Sequence, residues 1–109
     1  MSATIETLDP KEVSRLLDAR ILLLIDVREP EEFATQRIRG AFLYPLSDFK
    51  VDAIPDAAAR RVVFQCGSGK RSLAAAEKYV AAGRGNVAHM GGGIAAWIAA
   101  GLPVVGLGR

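Results

Sequence analysis

At 109 residues, half of them hydrophobic and 24% charged, the chain has enough apolar material for one packed domain over 1–109 and too much for extended disorder. Fourteen basic residues against 12 acidic ones leave a net charge of +2, which argues against nucleic acid or a membrane surface as the default partner. A single cysteine closes no internal disulfide and, with one histidine, makes no zinc-ligand cluster, so a reducing, cytoplasmic setting is expected. Met1 to Glu6 has no basic region followed by an apolar core, so no signal peptide is expected, and the apolar runs are too short for a membrane span.

Ala3 to Glu6 suits a short edge strand. Asp9-Pro10-Lys11-Glu12 reads as a helix start, with Asp9 as cap and Pro10 in the first turn; Val13, Leu16 and Leu17 then share one face. Ile21 to Ile25 is a continuous apolar run ending in Asp26-Val27-Arg28, as expected of a strand buried on both faces. Pro30, Glu31 and Glu32 suit the first turn of a second helix. Gly40 marks a turn before a short strand over Ala41 to Tyr44, and Ser47 to Pro55 reads as a loop or one helical turn.

Arg61 to Gln65 is the next strand and stops at Cys66-Gly67. Helical composition follows from Lys70 to Ala82, with Leu73, Ala76 and Val80 on one side and Gly83 as the C-terminal cap. Asn86 to Met90 is the last strand. Gly91-Gly92-Gly93 leads into a final helix with Ile94, Trp97 and Ile98 facing inward, ended by Gly101 and Pro103. Strands alternating with helices predict an α/β fold: a mainly parallel five-stranded sheet with helices on both faces. Asp26, Cys66 and Met90 each end a predicted strand, the side on which such sheets bind ligands.

The stretch Cys66-Gly67-Ser68-Gly69-Lys70-Arg71-Ser72 carries the chemistry. A phosphate-binding P-loop would need glycine where Phe64 stands and a hydroxyl residue where Arg71 stands, so that reading fails twice. A free cysteine is often a small core hydrophobe. Here, however, small residues can wrap backbone N–H groups around a point, a helix N-terminus follows, and Lys70 and Arg71 add charge. All three favour thiolate, the nucleophilic form.

This loop resembles the active-site loop of rhodanese-like sulfurtransferases, Cys-x-x-Gly-x-Arg-Ser or Ala. Ile25-Asp26-Val27-Arg28-Glu29 with Glu32-Phe33 resembles that family's first motif. Ile38-Arg39-Gly40-Ala41 is similar to its His-Ile-Pro-Gly-Ala, with Arg37 and Arg39 as departures. Met90 to Ile94, Ala96-Trp97 and Gly101 to Val104 resemble its C-terminal motif, so ordered matches run from about residue 5 to 105. The resemblance implies a rhodanese-like fold and transfer of sulfane sulfur through a Cys66 persulfide, with no cofactor. The donor would be a small molecule such as thiosulfate. The acceptor would be cyanide or an external thiol, glutathione or a thioredoxin-like protein. Gly67, Ser68, Gly69, Lys70, Arg71 and Ser72 would bind the donor, and Asp26 and Arg28 would support the site.

Other residues have plainer readings. Asp26 and Arg28 are expected chiefly to organise the strand-to-helix turn. His89 reads as a polar residue at a strand terminus, because a thiolate held by backbone amides and a helix needs no histidine base. The glycine run lacks Gly-x-Gly-x-x-Gly spacing, so a tight turn with close helix packing is expected, and Trp97 reads as core. Two other functions compete. A cysteine-dependent phosphatase or arsenate reductase would have five residues between cysteine and arginine where this chain has Gly67, Ser68, Gly69 and Lys70, and a reductase would need a second thiol. A persulfide carrier or regulatory binding module would hand its sulfur to a partner protein instead of turning over a small acceptor.

Overall fold

The computed structural model describes residues 3–55 and 60–106. In chain order these form β1 (Ile5–Leu8), α1 (Pro10–Asp18), β2 (Leu22–Asp26), α2 (Pro30–Thr35), β3 (Gln36–Arg37) and β4 (Phe42–Leu43). There follow β5 (Arg61–Gln65), α3 (Lys70–Ala81), β6 (Val87–Met90), α4 (Gly93–Ala99) and β7 (Val105–Gly106). Two short 3-10 turns, Leu46–Asp48 and Val51–Ala53, occupy the stretch read as a loop or one helical turn.

The main sheet has five strands in the order β1-β6-β5-β2-β4, all parallel, with β1 and β4 at the edges. The apolar runs of β2 and β5 occupy its centre because both of their faces are covered. Alternation sends Leu22, Leu24, Val63, Ala88 and Met90 to one face, under Val13 of α1 and Ile94 and Trp97 of α4. It sends Ile25, Val62, Phe64, Cys66 and Val87 to the other, under Ala75, Ala76 and Tyr79 of α3. Helices therefore cover both faces, as expected.

Local signals explain the helix starts. Asp9 accepts a hydrogen bond from the Glu12 N–H at 3.0 Å, and Pro10 takes the first position of α1. At α2 the Glu32 carboxylate reaches back to the Glu29 N–H at 2.9 Å.

Three expectations are corrected. The first strand runs from Ile5 to Leu8, not from Ala3 to Glu6, because its register with β6 pairs Ile5 with Val87 and Leu8 with Met90. Ile98 is exposed, since Ile94 and Trp97, three residues apart, already fill the face of α4 turned to the sheet. Leu73 is exposed too: α3 presents Ser72, Ala75, Ala76 and Tyr79 inward, and its small residues let the helix lie close to the strands. The antiparallel pair of β3 and β7 has no counterpart in the sequence pattern, because two-residue strands carry no periodic signal. No helix among the described residues is long and apolar enough to cross a membrane.

Candidate active site

A parallel sheet brings the carboxyl ends of its strands to one edge, so Asp26, Cys66 and Met90 meet at the ends of the adjacent strands β2, β5 and β6. Cys66 is the first residue beyond β5 and is buried, 1% exposed. After it the chain turns back over the sulfur. The Gly69 N–H donates to Sγ at 3.0 Å, and Gly69 itself has φ +107, a left-handed conformation that glycine adopts without strain.

The first residues of α4 hold the loop from below. The Ile94 N–H donates to the Cys66 carbonyl at 2.8 Å, and the Ala95 N–H to the Gly67 carbonyl at 3.2 Å. Both carbonyls are thereby satisfied by amides of α4. The approach is close enough to demand glycine: a Cβ on Gly93 would stand 2.3 Å from the Cys66 carbonyl oxygen. The tight turn expected of the glycine run thus also packs α4 against the cysteine loop.

Burial pushes the Cys66 thiol up. Hydrogen bonding from the Ser72 N–H and hydroxyl, then from the Gly69 and Ser68 amides, outweighs burial and leaves the pKa below that of a free thiol. The start of α3, at Lys70, aims its N-terminus at the same sulfur and favours the anion further. The result is a buried sulfur, biased toward thiolate, in a loop of backbone donors.

A family model described as the rhodanese-like domain matches residues 9–100. The chain belongs to the rhodanese-like family. Among its relatives is a protein named sulfurtransferase from Allochromatium vinosum, 38% identical over 93% of this chain and 95% of that one. An uncharacterized Synechocystis protein, slr1261, is 37% identical over 91% of this chain, which spans only 55% of that relative's length. A solved thiosulfate sulfurtransferase from Pseudomonas aeruginosa superposes with a TM-score of 0.81 at 27% identity, over 94% of this chain and 20% of that one.

In this rhodanese-like domain the residues expected at the site separate into groups. Cys66 and the loop from Gly67 to Ser72 stand together. Lys70 lies at the surface in the first turn of α3. Arg71 is engaged: its two terminal nitrogens donate to the Glu32 carboxylate at 2.7 and 3.0 Å. That bidentate bond, more than the nearby Arg28 charge, holds the Glu32 pKa down to about 2, and it raises the Arg71 pKa in turn. Arg71 crosses close to the loop, so a Cβ on Gly67 would come within 3.2 Å of its guanidinium.

Asp26 and Arg28 form a different arrangement. The Arg28 guanidinium donates to both Asp26 oxygens at 2.8 to 3.1 Å and to the Gln36 carbonyl at 2.7 Å. The Arg28 N–H also donates to Asp26. These bonds fix the turn from β2 toward α2 and tie it to β3, and none of them goes to Cys66.

Two participants escaped sequence reasoning. Glu32 was legible as a helix-start acid and as part of the first motif, but not as the partner of Arg71, because nothing local connects it to an arginine 39 positions away. His89 does more than end a strand: its Nδ1 lies 3.0 Å from the Ser72 hydroxyl. The usable signal was strand alternation, which puts His89 on the same sheet face as Val87 and Cys66.

Proposed function

We propose that this rhodanese-like domain is a sulfurtransferase that moves sulfane sulfur from an anionic donor such as thiosulfate to a thiophilic acceptor, cyanide or a thiol, through a Cys66 persulfide. The observation that carries this reading is the hydrogen bond from the Gly69 amide to the Cys66 sulfur within a loop that lowers the thiol pKa. Family membership and a relative named sulfurtransferase support it.

The Cys66 thiolate attacks the outer sulfur of thiosulfate. A new S–S bond forms, the donor's own S–S bond breaks, and sulfite leaves with the electron pair. The negative charge then rests on the terminal persulfide sulfur, and the loop amides that held the thiolate stabilise it. In the second step the acceptor attacks that sulfur and Cys66 departs as thiolate, so ping-pong kinetics follow. The four-residue spacing between Cys66 and Arg71 suits one sulfur atom better than a tetrahedral phosphate, which disfavours a phosphatase.

Intact-protein mass spectrometry after incubation with thiosulfate tests the reading. The expected result is a gain of one sulfur atom, reversed by cyanide and absent in Cys66→Ser. An unmodified Cys66 that still alkylates would overturn thiosulfate as donor, and the same null result with mercaptopyruvate would overturn sulfur transfer. A persulfide that forms but turns over poorly with small acceptors would instead mark a carrier.

A further inference from the structure

Ser72 does more than cap the cysteine loop. Its Oγ lies 3.6 Å from the Cys66 sulfur, 3.1 Å from the Gly69 carbonyl oxygen and 3.0 Å from His89 Nδ1. Across the imidazole ring, His89 Nε2 lies 3.2 Å from Thr7 Oγ1. These groups come from β1, β6, α3 and the loop after β5. Cys66 and Ser72 are fully buried, His89 is 7% exposed and Thr7 is exposed. Hydrogen-bonding groups therefore run in file from a buried sulfur to the surface.

A serine hydroxyl has one proton and two lone pairs, so Ser72 cannot serve all three neighbours in the same way. With Nδ1 bare, the Ser72 proton goes to the ring and Oγ accepts from the sulfur, which must then be a thiol. With a proton on Nδ1, the ring donates to Oγ and the hydroxyl proton is released to the sulfur or to the Gly69 carbonyl. An anionic sulfur wins that competition, because a hydrogen bond to a charged acceptor is the stronger. The Thr7 hydroxyl accepts from Nε2 in the first arrangement and donates to it in the second.

We propose that Thr7, His89 and Ser72 form a proton relay that points the Ser72 hydroxyl at the Cys66 sulfur and delivers the thiol proton to water at Thr7. The thiolate arrangement holds one proton fewer than the thiol arrangement, and that proton leaves at the hydroxyl of the exposed Thr7. No S–S bond forms or breaks in this step. The imidazole is neutral in both arrangements, in keeping with the burial that pushes the His89 pKa below its ordinary value. His89 is a positioning residue that acts through Ser72.

The surroundings limit the alternatives. The charged groups near the sulfur are Arg71 of α3, held by Glu32 of α2, then Lys70 at the surface of α3 and the Asp26–Arg28 pair at the end of β2. The imidazole meets Ser72 of α3 and Thr7 of β1, with Phe64 of β5 beside it in register, so no charged partner among the described residues bonds to it.

The inference rests on reading Cys66 as the sulfur-carrying nucleophile, but its tests do not need sulfur transfer. His89 is the chain's one histidine, so nitrogen NMR of isotope-labelled histidine reports its tautomer without ambiguity. Followed through the Cys66 alkylation midpoint, the full chain is expected to change from Nε2–H below it to Nδ1–H above it. Ser72→Ala should abolish the change. One tautomer throughout, or the same change in Ser72→Ala, overturns the relay.

The pH dependence of Cys66 alkylation by iodoacetamide gives a second readout. Ser72→Ala and His89→Leu are expected to raise the midpoint by about one pH unit, so that neutral-pH alkylation slows about tenfold. His89→Asn keeps a donor near the place of Nδ1 and should recover part of the loss. Thr7→Val, at an exposed position that tolerates the change, should raise the midpoint by a smaller step. Unchanged midpoints in both Ser72→Ala and Thr7→Val overturn the proposal even if His89→Leu fails to fold. A tautomer change without sulfur uptake from any donor would leave the relay standing and remove the sulfurtransferase reading; the converse would do the opposite.

Discussion

Two arginine–carboxylate pairs stand at the same edge of the sheet and do different work. In Arg28–Asp26 the side chains are 6% and 0% exposed; in Arg71–Glu32 they are 37% and 39% exposed. The first pair is shut inside the turn after β2, and its arginine also bonds a backbone carbonyl. The second lies beside the cysteine loop, where water and a small anion can compete for the guanidinium. Burial therefore decides which guanidinium a small anion can reach. A buried pair loses heavily when one partner goes, because the other charge is stranded, whereas a half-exposed pair is screened and exchanges partners cheaply.

The strongest way to break this contrast is Asp26→Ala. It strands the Arg28 guanidinium and is expected to cost about 3–5 kcal/mol in urea unfolding. A loss below about 1 kcal/mol would place the pair with the surface ones. Arg71→Ala should do the reverse, holding stability within about 1 kcal/mol while raising the thiosulfate concentration needed for half-maximal sulfur uptake about tenfold. An unchanged donor requirement would take Arg71 out of the substrate's path.

A third buried polar group extends the comparison. Gln65 is fully buried next to Asp26 in the β2–β5 register, yet its amide has no hydrogen-bond partner among the described residues. Gln65→Leu is expected to stabilise the fold by about 1 kcal/mol, measured by urea unfolding. A destabilised variant would mean that the amide is satisfied by solvent.

The smallest effect belongs to Glu32→Gln. Glutamine keeps the reach back to the Glu29 N–H but releases Arg71, so donor affinity should improve about two- to fivefold. The sign of its pH dependence follows from the lowered carboxylate. Glu32 is held at about 2 against an ordinary 4.5, so the pair's stabilisation is whole above about pH 4.5 and is lost as pH falls through about 2. Acid titration should show wild type and Glu32→Gln converging over that range, and parallel curves would show that the pair adds nothing.

Much of the fold was legible because its signals are local. Ile21 to Ile25 and Arg61 to Gln65 read as buried strands from their apolar runs, although the first strand observed is Leu22–Asp26 with Ile21 exposed just before it, and Asp9-Pro10 read as a helix start from capping chemistry. Leu73 and Ile98 misled because hydrophobicity marks a residue as apolar without fixing the rotation of its helix. The cysteine loop was legible for the same reason as the strands: its donors, its glycines and its basic residues are consecutive.

The amino-acid sequence by itself determined the α/β alternation and the glycine-rich, basic loop that follows Cys66, since each rests on neighbours in the chain. Only the tertiary structure decided that Arg71 is held by Glu32, that α4 fastens the carbonyls of Cys66 and Gly67, and that Ser72 meets His89 and Thr7. Those contacts join residues from separate elements, and they exist only because the strand order β1-β6-β5-β2 and the packing of α2, α3 and α4 bring them within hydrogen-bond reach.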